Sequence, residues 1–231
     1  MRRLLVSLGV LGVLLLAVDR VGAYVAGSAA AGTLRTSAGL DRVPSVTITG
    51  FPFLTQVAAG RYDRIDVRAD GLSRGGVRLA SVTTSLYGAR IPFSAAVHRS
   101  VRSLPVERTT ARAVISFVDL ASRGRVASLV IAPTGDRLAV TGRVTVLGQT
   151  FSAGTTSTVR LQGHDLVITG RTVEVQGTPV PGAIGAALAG ALDLRIPIGR
   201  LPYDLELTGV HVEPAGVVVT AAGGPTVLSA P

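Results

Sequence analysis

From residue 40 onward the sequence runs largely on a period of two, and that alternation limits most of the chain to half-buried strands. Arg61 to Asp70, RYDRIDVRAD, puts Ile65, Val67 and Ala69 on one face and Arg64, Asp66, Arg68 and Asp70 on the other. Leu138, Val140, Val144 and Val146 alternate with Thr141, Arg143 and Thr145 in the same manner. Val77 to Tyr87, Thr155 to Leu161, Leu166 to Gln176, Leu205 to Val212 and Val217 to Thr220 read as further strands. Gln162-Gly163-His164-Asp165 has the composition of a hairpin turn, and Glu213-Pro214-Ala215-Gly216 suits a tight reversal. Strands joined by such short turns pair antiparallel. The expected class is α+β, mostly antiparallel β.

Helical signals are few. Arg112 to Arg123 places Val114, Ile115, Val118 and Ala121 at spacings compatible with an amphipathic helix. Pro181 to Leu194, PGAIGAALAGALDL, has proline suited to a first turn and almost no polar surface. A helix apolar all round needs wrapping, and a long sheet curved around it would supply that. Thr33 to Leu40 extends a helix from the N-terminal segment. Val46-Thr47-Ile48-Thr49-Gly50 before Phe51 and Phe53 faintly echoes Val144-Thr145-Val146-Leu147-Gly148 before Phe151.

The N-terminus has a different character. Met1-Arg2-Arg3 precedes fifteen residues, Leu4 to Val18, with no charge and one polar side chain, Ser7. A basic start before a short apolar run is the layout of an export signal. The run is short for a membrane span of about 20 residues, but apolar character resumes after Asp19-Arg20, in Val21 to Ala31. Residues 1–31 are therefore expected to be an export signal or an uncleaved anchor, with small residues near Ala23 and Ala31 as cleavage sites. Arg2 and Arg3 would stay on the cytoplasmic side. Residues 32–231 are expected to form one β-rich domain, exported to the periplasm or cell envelope. No cysteine is present, so neither a disulfide nor a lipidated cysteine holds it.

The formal charge is +9, and without Arg2, Arg3, Asp19 and Arg20 there remain 20 Arg against 13 Asp and Glu, or +7. That excess outside the cytoplasm fits a membrane surface or an anionic envelope polymer, at about 1 kcal/mol per basic residue near the surface. Nucleic acid is not an expected partner, because the arginines are scattered and there is no tryptophan to stack bases.

No catalytic constellation stands out. His98, His164 and His211 are isolated, with no metal-ligand spacing among them. Without lysine there is no phosphate-binding P-loop, and no G-x-S-x-G elbow occurs. Asp63, Asp66 and Asp70 are better explained by charge pairing across neighbouring strands than by calcium. The expectation is a non-enzyme without metal or cofactor. What remains is apolar: Phe51, Phe53 and Leu54 in one turn-like segment, and Phe93 in another. These four are the candidate acyl-chain contacts. An acyl chain of about 15 methylenes costs on the order of 12 kcal/mol to expose to water, so a closed apolar tunnel is the expected form of site.

Val46-Thr-Ile-Thr-Gly-Phe-Pro-Phe-Leu-Thr-Gln56 followed by Gly60-Arg-Tyr-Asp-Arg-Ile-Asp-Val67 resembles the opening signature of the LmeA-like phospholipid-binding proteins of actinobacteria. Arg200-Leu201-Pro202-Tyr203-Asp204-Leu205, with Gly209 to Val219, resembles the closing one, and Asp19-Arg20 is also similar. The resemblance implies a tubular lipid-binding-like fold, a long curved sheet wrapped around one or two helices. It implies anionic phospholipid as ligand, bound or transferred, and support of envelope glycolipid (lipomannan-type) synthesis. It supplies no catalytic residues. The alternative is a structural adaptor that docks a membrane-bound envelope glycosyltransferase.

Overall fold

The computed structural model describes residues 2–74, 76–98, 101, 103–146 and 148–229. The elements in chain order are α1 (Arg2–Ser37), β1 (Ser45–Thr49), α2 (Phe53–Ala59), β2 (Arg61–Arg74), β3 (Val77–Arg90), α3 (Phe93–Val97) and β4 (Ser103–Val106). There follow β5 (Arg108–Ile115), α4 (Phe117–Ala121), β6 (Ala127–Thr134), β7 (Arg137–Val146), β8 (Gln149–Gln162), β9 (Asp165–Val175) and β10 (Thr178–Pro179). The chain closes with α5 (Gly182–Leu192), β11 (Leu194–Pro197), β12 (Glu206–Glu213), β13 (Gly216–Gly223) and β14 (Thr226–Ser229). The class is α+β with antiparallel sheets, as the period-two pattern requires.

Strand order is β1-β2-β3-β5-β13-β12 in one sheet, β10-β9-β8-β7-β6 with β11 also on β9 in a second, and β14-β4 in a third. The β8–β9 turn is Gly163-His164, with Leu161 opposite Leu166 and Val159 opposite Ile168. Contacts divide the chain into two compact units. Unit 1 holds residues 1–70, 83–111 and 222–231; unit 2 holds 71–82 and 112–221.

Unit 1 has a small core of Phe53, Tyr62, Ile65, Leu86, Ala89 and Val106, flanked by Ala23 and Ala26 of α1 and by Val46 and Ile48 of β1. Unit 2 has the larger core. Leu138, Val140, Leu166, Ile168, Leu188 and Leu192 are its most completely buried large side chains, alongside Leu120, and α5 packs on β7, β8 and β9.

Three local expectations are corrected. The helix expected over Arg112 to Arg123 begins only at Phe117, because Arg112 to Ile115 belong to β5. β-Branched Val114 and Ile115 favour the strand. Ser116 then starts the helix: its Oγ accepts from the Asp119 backbone N–H at 3.1 Å and donates to Asp119 Oδ2 at 2.6 Å. The carboxylates of β2 pair along their own strand. Asp66 takes Arg64 at 2.8 Å and Asp70 takes Arg68 at 3.2 Å, while Asp66 also receives Ser85 of β3. The Val-Thr-rich echo also diverges, since Gly50 leads into α2 whereas Gly148 lies in the turn between β7 and β8.

Candidate functional site

In unit 1 the stretch from Gly50 to Gln56 is organised by a residue far upstream. Pro52 precedes α2 and offers no side-chain cap. Asp19 of α1 does the capping: its Oδ1 accepts the Leu54 backbone N–H at 2.9 Å, and the residue is buried. Phe53 points inward, its ring 6.4 Å from that of Tyr62 and beside Gly22, where a Cβ would lie 3.4 Å from it. Burial pushes the Tyr62 phenol above its ordinary value of 10.0. Buried Gln56 accepts the Asp63 backbone N–H at 2.9 Å. Gly50, at φ +120°, has no room for a side chain, because a Cβ there would lie 2.5 Å from Gln56 Nε2. The family-like signature is thus a joint that fastens α1, α2 and β2 together.

The four expected acyl contacts fall in different settings. Phe53 is in the core, whereas Phe51, Leu54 and Phe93 are exposed, by 60%, 43% and 57%. The Arg20 guanidinium lies 5.0 Å over the Phe51 ring. Leu54 adjoins the Asp19 end of α2, while Phe93 opens α3 beyond Pro92, which lies against Gly60 at the other end.

Unit 2 carries a half-open pocket of about 510 Å³, within the usual size range of small-molecule sites. Val126, Val144, Ala191 and Leu194 contribute aliphatic surface to its lining. Arg123, Arg125, Arg143 and Arg195 stand around it, with Asp193 as the one carboxylate. Arg195 pairs with Asp165 at 2.6 Å, and Arg143 reaches Ser128 Oγ at 2.9 Å. Arg123 and Arg125 make no ion pair among the described residues. Elsewhere Arg61 and Arg90 pair with Glu107 and Arg112 with Glu213. The pocket therefore brings four arginines and one carboxylate together with aliphatic side chains.

The pocket continues onto α5 through Gly190 and Ala191. That helix buries Gly185, Leu188, Ala189 and Leu192 and leaves Ala183, Ile184, Ala186, Ala187 and Gly190 bare. Sequence reading missed the pocket arginines, which come from the loop after α4, from β7 and from β11. Its available clue was Arg123-Gly124-Arg125, two arginines in a connection with no acidic neighbour. The histidines lie apart. The His98 ring contacts its own helix at Ser94 O, 2.7 Å, and His211 meets Glu213 at 3.0 Å. Among the described residues no three His, Cys, Asp or Glu side chains are grouped to hold a metal.

By fold and site this is an antiparallel α+β protein with an arginine-rich pocket and a long apolar N-terminal helix. The chain belongs to the LmeA-like phospholipid-binding family, whose model matches residues 17–222. Searches of curated proteins and of solved structures each return no match.

Proposed function

We propose that this is an exported envelope protein that binds anionic phospholipid in the unit 2 pocket. The headgroup sits among Arg123, Arg125, Arg143 and Arg195, and an acyl chain runs over Val126, Val144 and Leu194 toward the bare face of α5. The observation that carries this reading is the grouping of four arginines with Val126, Val144, Ala191 and Leu194 in one pocket, three of the arginines without a carboxylate ion-pair partner among the described residues. Membership of a phospholipid-binding family supports it.

The shape of the site bears on how the lipid is handled. A half-open pocket leaves part of an acyl chain uncovered, and at about 0.8 kcal/mol per methylene the cost of that part is then not offset. Helix α5 packs against β7, β8 and β9, with Leu188 and Leu192 buried in the core beside that sheet. Such a site favours holding a lipid whose chains stay partly in the bilayer over carrying it free through water. Presentation of phospholipid to a membrane-bound enzyme of envelope glycolipid synthesis fits that mode.

Native mass spectrometry of the full chain released from detergent tests the reading, with phosphatidylglycerol and phosphatidylcholine as probes. Arg123→Gln with Arg125→Gln should weaken phosphatidylglycerol binding about 30-fold, at roughly 1 kcal/mol per arginine, and leave phosphatidylcholine unchanged. Equal affinity of wild type and variant for phosphatidylglycerol overturns the headgroup assignment. No binding of either lipid by the wild type favours the adaptor.

A further inference from the structure

Helix α1 changes its surroundings at Asp19. Before it, Leu4, Leu5, Val6, Leu8, Leu11 and the apolar residues up to Val18 are exposed on every side of the helix. After it, the helix packs against the rest of unit 1: Gly27 meets the Val46 backbone so closely that a Cβ would lie 2.5 Å from its carbonyl oxygen, and Ala31 is buried. An export signal is removable because nothing downstream depends on it. Here cleavage near Ala23 or Ala31 would strip Asp19 from the Leu54 N–H and Gly22 from the Phe53 ring. The family match itself begins at residue 17, inside the helix.

The bare surface also has the dimensions of a span. Beyond Asp19 the outward face of α1 still presents Val21, Tyr24 and Val25. Leu4 to Val18 is 15 residues, about 22 Å of helix at 1.5 Å per residue, and the outward Val21, Tyr24 and Val25 carry bare apolar surface along one side to about 33 Å, against a hydrocarbon thickness of about 30 Å. The exit is furnished accordingly. Exposed Tyr24 and the Arg20–Phe51 pair are of the kind that settles at a membrane–water boundary, with arginine reaching outward to the headgroups. Phe51 and Leu54 are held at that level by the Asp19 bond.

We propose that α1 is retained in the mature protein as a membrane span, and that Phe51 and Leu54, fixed to its exit by Asp19, sit in the interfacial layer of the phospholipid bilayer. This rests on the reading that the protein works at a membrane but not on the pocket, so the Arg123/Arg125 experiment and the one below fail separately.

The full chain with its own N-terminus is expressed in an exporting bacterial host, and its intact mass is measured. The expected mass includes residues 2–31, in a fraction that stays with membranes through an alkaline carbonate wash. An N-terminus between residues 22 and 32, in soluble protein, overturns the proposal. The chain lacks tryptophan, so single reporters can be placed at exposed sites: Phe51→Trp, Leu54→Trp and, on the far side of β1 from the span, Val43→Trp. In phosphatidylglycerol-containing vesicles the first two should shift to the blue and be quenched by lipids brominated near the headgroup, and the third should not. Quenching of all three alike, or of none, overturns the interfacial placement.

Discussion

Helices α1 and α5 are both apolar on nearly every side, yet one is bare through its first half and the other is packed along a stripe. In α5 the bulk is concentrated. Leu188 and Leu192 face β7–β9 together with Gly185 and Ala189, an i, i+3, i+4, i+7 set, and most of the opposite face is alanine and glycine. In α1 the bulk goes all the way round: Leu4, Leu8, Leu11 and Leu15 share one face, and exposed Val6, Val10 and Val13 cover the opposite one. The difference teaches that mean hydropathy does not separate a core helix from a membrane helix. The angular distribution of large side chains does, because a sheet takes one face and a bilayer takes all of them.

The largest expected effect tests whether the second half of α1 belongs with the packed class. A chain beginning at residue 17 keeps Asp19, Gly22, Gly27 and Ala31, and one beginning at residue 32 loses all four. Domains hold only about 5–15 kcal/mol of net stability, so the shorter chain is expected to lose cooperative unfolding of unit 1. Hydrogen exchange read by mass spectrometry should show β1 and α2 protected in the first chain and open in the second. Equal protection in both would place residues 17–31 outside the fold.

The next effect contrasts the two helices directly. Leu188→Ala removes a side chain that is only 1% exposed and should cost about 2–5 kcal/mol, read from denaturant midpoints in unit 2. Leu11→Ala, in the bare half of α1, should change unfolding by no more than about 0.5 kcal/mol. A comparable loss for Leu11→Ala would mean that the first half of α1 packs against protein.

Much of this was legible in the sequence, for reasons that differ by residue. The strands announce themselves because a half-buried strand has to alternate, and α5 because Pro181 starts an apolar run too long for a strand. The β5–α4 boundary was hidden, since Val114, Ile115 and Val118 satisfy a helical spacing until Ser116 is recognised as a cap. The placement of Phe51, Phe53 and Leu54 was not readable from Gly-Phe-Pro-Phe-Leu. Which phenylalanine turns inward depends on where α2 starts, and its start is capped by Asp19, 35 residues away. The arginine pocket draws on three separate segments that only the tertiary fold assembles.

A smaller effect lies at the joint between the two halves of α1. Asp19→Ala leaves the Leu54 N–H without its acceptor and should cost about 1–3 kcal/mol. The loss should appear as faster exchange at the first turn of α2, with β7–β9 unchanged. Unchanged exchange at Leu54 would show that Asp19 is not the cap in solution.

The smallest effect involves neither helix and sets the baseline for the others. Arg112 donates to both carboxylate oxygens of Glu213, at 2.6 and 2.5 Å, and His211 lies 3.0 Å from one of them. The Arg112 hydrogen bonds first, and His211 second, hold the Glu213 carboxyl below its ordinary value of 4.5. A depressed carboxyl contributes stability that is present above the unfolded value and is lost as pH falls through the folded one. The window is therefore acidic, from about 4.5 downward, with no change expected near neutral pH. The partners are exposed, so screening keeps the contribution below that of any substitution above except Leu11→Ala. Carbon-detected titration should place the Glu213 midpoint below 4.5 and move it upward in Arg112→Gln. An unmoved midpoint would assign the shift to His211, and loss of stability in Arg112→Gln at neutral pH would show that the Arg112 side chain packs as well as pairs.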